Sequence, residues 1–485
     1  MNPRKIESKQ EIRPREGKLP DIDFRVPRAF SQFRIFVLRN VLSKLSNRQY
    51  LLVNFLEAPL LALIIGYFTK YISDPSTGAS YVFRDNVNLP AYLFMSVVVA
   101  LFMGFMVSAE EIIRDRKILE RESFLQLSWW SYINSKILVL FCISAIQTLS
   151  FVIVGNLILE IKGMFLSYWL ILFTASCLAN LMGLNLSSGL NSVVTIYIII
   201  PFILVPQLLF SGVIVNYDKL HKIWRNPVFV PVIGDMMTSR WAYEALAVDQ
   251  FKDNKFSRNF FATDMLKSNA SYHKYILDQV QNRLVNANFN IQKDTGYDPG
   301  KSFDLIKAEI KNLSDQGVIE PFSDLDKLNP GQFDQKVYNI IIDYLVSEKR
   351  KLTVITREAL DRGDSINAVL REDLGGKDAL LKLRDDYYNI GLAELLQNAH
   401  MIESAIEIDN RLVRKKDLIY MEPLSKFGRA HFYAPVKKLG KLSIDTYLFN
   451  FIFIWVTSFL FYLTLVFDIL RKIVNWAEKI KLRKK

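Results

Sequence analysis

LPAYLFMSVVVALFMGFMVSAEEIIRDRKILERES, Leu89 to Ser123, is the stretch on which the reading of the chain turns. Its first twenty residues carry no charged side chain, whereas nine of the fifteen from Ala109 to Ser123 are charged. At 1.5 Å of rise per residue, twenty residues make a helix of about 30 Å, the thickness of a bilayer's hydrocarbon core. The abrupt change of composition is that of a membrane span emerging into water.

Five further apolar runs have a similar character: Tyr50–Tyr71, Ile133–Leu159, Phe165–Leu186, Val193–Phe210 and Tyr447–Leu470. Core helices of a large soluble protein rarely run so far with so little charge, so these are read as six spans. Lys and Arg orient them, because positively charged loops stay on the cytoplasmic side. Residues 1–49 hold twelve Lys and Arg against five acidic residues, and residues 471–485 hold seven against one, which places both termini in the cytoplasm. These two flanks supply the net charge of +12 and suit anionic lipid headgroups. A basic face interleaved with aromatics, as nucleic acid would require, is not evident. Cys142 and Cys177 fall inside spans, so they are expected to pack as small apolar residues. The polar N-terminus shows no cleavable signal peptide.

With this orientation the hairpin 109–131 lies on the cytoplasmic side. Ile112, Ile113 and Leu119 can share one side of a short helix, with SWWSYINSK leading back to the membrane through Trp129, Trp130 and Tyr132. The charges Glu110, Glu111, Arg114, Asp115, Arg116, Lys117, Glu120, Arg121 and Glu122 then read either as a wet loop or as a docking surface for a cytoplasmic partner.

The residues resemble a family at this point. Glu110, Asp115-Arg116-Lys117, Glu120-Arg121-Glu122 and Tyr132 look like the segment after the second span of ABC exporters of the G subfamily, within the ABC-2 permease class. FSQFRIFVLRNVLSKLSNRQ, residues 30–49, resembles that family's amphipathic connecting helix. FSGVIVN at Phe210 and YEAL at Tyr243 resemble its re-entrant segment, here 211–251, in which Gly212, Pro227, Pro231 and Gly234 would interrupt a helix.

The resemblance implies an all-α membrane protein of the ABC-2 permease type with six transmembrane helices and both termini cytoplasmic, and the lack of that family's disulfides suggests a bacterial host and hence its inner membrane. It implies that the charged hairpin couples to an ATPase and that the permease works as a homodimer. It also implies outward movement of an amphipathic or lipid-like substrate along a path lined by the second and fifth spans. Phe102, Met103, Met106, Gln207 and Phe210 are the candidate lining residues. Asn54 and Glu57, three apart on the first span, are either a polar contact in that path or, for Glu57, a partner of Arg39 or Arg48 near the cytoplasmic end.

Two departures from the family matter. No G-x-x-x-x-G-K-[ST] occurs; LGGKDALLK at Leu374 lacks the first Gly and the hydroxyl after Lys. No cofactor is therefore expected on this chain, no catalytic residue is assigned, and ATP and Mg belong to a partner nucleotide-binding domain, either fused upstream or separate. Residues 1–29 read as a cytoplasmic linker. The second departure is residues 252–441, expected to be a large, mainly helical extracytoplasmic insert between the fifth and sixth helices, followed by the last span within 442–470 and the basic tail 471–485. In the insert His273, His400 and His431 are isolated, so no metal site is expected, and the neighbouring Asp385 and Asp386 should point apart on a helix. The rival reading is a non-transporting membrane scaffold that presents the insert to an envelope partner.

Overall fold

The computed structural model describes residues 27–72, 80–121, 127–224, 226, 228–293 and 298–483. Its membrane part comprises α1 (Ala29–Ser46), α2 (Arg48–Thr69), α3 (Leu89–Ser108), α4 (Glu111–Arg121), α5 (Trp129–Leu159), α6 (Phe165–Gly189) and α7 (Val193–Leu209). After a broken stretch come α8 (Val232–Asp235) and α9 (Thr238–Lys252). Among the described residues five helices are long and apolar enough to cross a membrane: α2, α3 with its continuation to Arg121, α5, α6, and α15 (Thr446–Val466). The expected fifth span, α7, is an apolar helix of 17 residues that contains Pro201 and Pro206. At about 26 Å it falls just short of the hydrocarbon thickness. A last helix, α16 (Ile469–Arg483), follows α15.

Close packing of α3 against α6 organises the bundle. Without a hydrophobic drive between helices in lipid, small residues let backbones approach. Gly104 and Ser108 on α3 meet Ser176, Ala179 and Gly183 on α6, and a Cβ on Gly104 would stand 2.5 Å from the carbonyl oxygen of Ser176. That oxygen belongs to a buried helix and cannot swing aside. Gly104→Ala is therefore expected to lower stability by about 1–3 kcal/mol through overpacking, measurable as earlier thermal unfolding of the purified protein in detergent. Polar side chains fasten the other helices: Ser176 and Asn180 both donate to Ser144 Oγ on α5, and Asn185 donates to the Phe461 carbonyl on α15.

The insert contains α10 (Phe261–Gln292), α11 (Gly300–Asp315), α12 (Gln335–Asp373), α13 (Lys377–Tyr387) and α14 (Ile390–Gln397). Two short antiparallel hairpins accompany them: β1 (Ala405–Ile408) with β2 (Arg411–Arg414), and β3 (Val436–Leu439) with β4 (Leu442–Asp445). Asp409 and Asn410 turn the first hairpin with both φ positive, which Asp and Asn tolerate. The glycines of LGGK have the same plain purpose: Gly375 and Gly376 adopt φ of 83° and 140° and reverse the chain between α12 and α13.

The insert has two cores. Ile276, Leu284, Phe303, Ile306 and Leu345 join α10, α11 and α12 in a core of their own. Leu392, Ala393, Leu396, Ile419, Tyr420 and Tyr433 instead share the core of the membrane helices with Tyr92, Trp241 and Leu246. Asn389 ties this second region down by donating to the carbonyls of Phe83 and Asn86 while its Oδ1 caps α14. Asp385 and Asp386 do point apart, one to Arg84 and the other to Lys162.

Candidate functional site

The charge knot has two faces. Glu111 is partly buried between Lys44 of α1, at 2.5 Å, and Lys136 of α5, at 2.9 Å, and Lys136 also bridges to Asp115. Tyr132 donates to Asp115 Oδ2 and packs edge-on against Phe36. The first backbone N–H groups of α4 find the hydroxyl of Ser187, which accepts from Ile112 and Ile113. Arg116 donates to the carbonyls of Ser188 and Leu190 and to Asn191, so it caps the free carbonyl end of α6. Glu110 is held by Tyr197 and by the one-turn pair with Arg114.

Glu111, Asp115 and Arg116 thus fix the position of α4 against α1, α5 and α6, and neither a wet loop nor a docking surface describes these three charges. Exposed instead are Arg114, Lys117, Ile118 and Arg121, which share one face at helical spacing, with Glu120 beside them. Glu122 lies outside the described residues. This basic stripe is the part of the knot that a partner can reach.

The proposed path residues do not form one lining. Met103 is buried in the α3–α6 core. Gln207 is also buried, its Oε1 accepting the Ser239 N–H at the start of α9 while the Ser239 hydroxyl donates to the Gln207 carbonyl. These two residues hold helices together. Phe102, Met106 and Phe210 are half-buried. Asn54 bonds within α2, to the Tyr50 carbonyl, and its own carbonyl accepts from Gln147. Glu57 is half-buried. Pro227 lies outside the described residues, but Gly212 does break the chain: its φ is +82°, and a Cβ there would meet the ring of Tyr217 at 2.5 Å.

A cluster that the sequence reading did not single out lies on α9, whose residues from Thr238 to Phe251 are all buried although the helix is only weakly apolar. Glu244 is fully buried there. It accepts from Lys437 Nζ of β3 at 2.8 Å, from Asn450 of α15 at 3.0 Å and from the Tyr433 N–H at 3.2 Å. Arg240, one turn earlier, stands 3.5 Å from both Glu244 and Asp235, and its guanidinium lies 3.8 Å over Trp241. Asp235 in turn pairs with Arg429. One ionic centre therefore joins α9, β3 of the insert and α15. The available signal was Glu244 within YEAL, an acid one turn after Arg240 in a segment expected to re-enter the membrane.

Among the described residues no group of His, Cys, Asp and Glu is arranged to hold a metal. His431 is buried, bonded through Nε2 to the Leu418 carbonyl, and its pKa is pushed down to about 4, chiefly by burial. Burial and nearby Arg414 push His273 down to about 4 as well. Both rings are neutral in the folded state, while in the unfolded chain they take up protons below about 6.5. Stability present above pH 6.5 is consequently lost as pH falls towards 4. Thermal unfolding at stepped pH should show this loss, and His431→Gln should flatten it.

Residues 31–251 match the family described as ABC-2 type transporter. An "ABC transporter G family member STR" of Medicago truncatula is 22% identical over 197 residues, which cover 40% of this chain and 22% of that protein. The match thus spans about a fifth of the relative's length.

Proposed function

We propose, on the premise that residues 31–251 are an ABC-2 type transporter membrane domain, that this chain is the membrane-spanning part of an ATP-driven exporter. Membrane domains of this kind work with ATPase domains, and the observation that carries the reading is the two-faced α4. One face is locked to α1, α5 and α6 by Glu111, Asp115 and Arg116; the other presents Arg114, Lys117, Ile118 and Arg121 to water. A helix held rigidly on one side and reachable on the other transmits a push without yielding.

In this reading two copies of the chain, or the chain and a similar partner, form the permease, with α7 completing six spans and both termini in the cytoplasm of a bacterial cell. ATP and Mg bind on the ATPase, fused upstream or separate. Closure of the ATPases moves α4, and the rigid spans turn that movement into alternating access for an amphipathic or lipid-like substrate. Phe102, Met106 and Phe210 are the lining candidates that the packing leaves half-buried. The scaffold reading predicts no ATP-dependent movement.

Orientation is tested first. Single cysteines placed at Lys301 and Arg357 should react with an impermeant thiol reagent in intact cells, and ones at Lys117 and Lys479 should react only after permeabilisation. Labelling of all four from outside would defeat the six-span arrangement. Transport is then measured in vesicles containing the chain and its ATPase; no ATP-dependent movement of any amphipath would favour the scaffold.

A further inference from the structure

A cavity of about 1230 Å³ lies between the re-entrant segment and the insert. It is larger than the roughly 300–1,000 Å³ of ordinary small-molecule pockets. Tyr217 and Phe229 of the re-entrant segment line one side, and α10, α11 and the β2 region line the others. From these walls we propose that the cavity binds an amphipathic molecule with a single anionic headgroup, seated at Arg414.

Arg414 is 95% buried on the cavity wall, where its exposure is 5%. Its Nε donates to the Lys416 carbonyl, Nη1 to Asn269 Oδ1 and Nη2 to Ser268 Oγ, and its guanidinium lies 4.6 Å from the centre of the Tyr272 ring. All of these partners are neutral. Among the described residues no carboxylate lies within ion-pair distance of it. A guanidinium has five N–H donors, so three bonds leave one on each terminal nitrogen. A buried charge whose direct partners are all neutral, with the Asp417 carboxylate reaching it only through the Ser268 hydroxyl, is costly, and an anion supplied by a ligand lowers that cost.

Three of the carboxylates lining the cavity are engaged elsewhere, and Asp417 accepts from the Ser268 hydroxyl. Asp218 takes Lys415 at 2.9 Å through both oxygens, Glu422 takes Lys438 at 2.7 Å, and Glu309 accepts the Leu412 N–H. Asp315 and Glu394 line the cavity from α11 and α14. The lining also includes Phe229, Val230, Met401, Met421, Leu424 and Phe432. Methionines and aromatics adapt to a flexible apolar body, so the wall fits an acyl or similar chain behind a carboxylate or phosphate.

Binding is tested without any ATPase, so its outcome is separate from that of the transport reading. The full chain in detergent is titrated with cis-parinaric acid, a fluorescent fatty acid, and with the corresponding alcohol. The acid is expected to bind at least tenfold more tightly than the alcohol. Arg414→Gln should remove most of that preference, Arg414→Lys should retain it within about threefold, and Leu424→Trp should weaken both ligands by filling the apolar end. Because Arg414→Gln removes a buried bonded group, its folding is checked by thermal unfolding; if it does not fold, the acid-to-alcohol ratio and Leu424→Trp decide. Equal affinity for acid and alcohol, or undiminished binding in a folded Arg414→Gln, overturns the proposal, as does absence of binding. In nanodiscs, displacement of the acid by anionic but not zwitterionic phospholipid identifies a membrane lipid as the occupant. Failure of phospholipid to displace bound acid identifies a free amphipath. Both results retain the anionic headgroup.

Discussion

Glu244→Ala should prevent most of the chain from reaching a stable fold. The substitution leaves Lys437, which is fully buried, without the carboxylate that stands within ion-pair distance of it among the described residues, and takes from Arg240 one of the two described there. Breaking a buried ion pair by removing one partner costs about 3–5 kcal/mol, a large part of the total stability of an ordinary domain. The Asn450 amide and the Tyr433 N–H also lose their acceptor, so α15 and the insert are both loosened from α9. Fluorescence-detected size exclusion of solubilised protein should show a fall of the monodisperse peak, and the surviving fraction should unfold earlier on heating. The double replacement Glu244→Leu with Lys437→Met removes both charges and should recover a substantial part of the loss. An unchanged peak and unfolding temperature in Glu244→Ala would show that water reaches this centre and that it does not hold the three elements together.

Reversing the exposed stripe should have the opposite profile. With Arg114, Lys117 and Arg121 all changed to Glu, the packed face of α4 is untouched, and the surface pair of Arg114 with Glu110 that is lost is worth only about 0.3–0.5 kcal/mol. The protein should be made and inserted normally, while ATP-dependent transport falls at least tenfold and co-purification with the ATPase weakens, more so at low salt. Glu111→Ala is the contrasting control: it strips Lys44 and Lys136 of their shared carboxylate, so its defect should appear in folding as well. Normal transport by the reversed stripe would leave α4 as a structural hairpin and move the coupling surface elsewhere.

Uncoupling these two profiles matters for any mutational survey of the knot. Arg116 has the same chemistry as Arg114 and Arg121 in the sequence, yet it caps α6 through two carbonyls. A charge-reversal set that included Arg116 would confound loss of coupling with loss of packing. The insert calls for similar care. Replacing all of residues 252–441 with a linker would remove Leu392, Leu396, Ile419 and Tyr420 from the core of the membrane helices, together with Lys437 from Glu244. Only the part built on α10, α11 and α12 has a core separate from the membrane helices.

The amino-acid sequence by itself determined the membrane character of this protein and the position of its charged hairpin. Both depend on local composition: an uncharged run of span length declares itself, and nine charges in fifteen residues mark where the chain meets water. Helical spacing on α4 was legible for the same reason, and the motif residues carried the ABC-2 resemblance over 31–251. Tertiary structure alone decided which charges face inward. The partners of Glu111 are 67 and 25 residues away, and that of Glu244 is 193 residues away, separations across which no periodicity reports. Met103 and Gln207 had the composition of a lining, but the close approach of α3 to α6 and the seating of α9 turned them into packing. Burial is a property of the neighbours a side chain meets after folding, and an isolated Glu, Arg or Met in the sequence does not carry the identity of those neighbours.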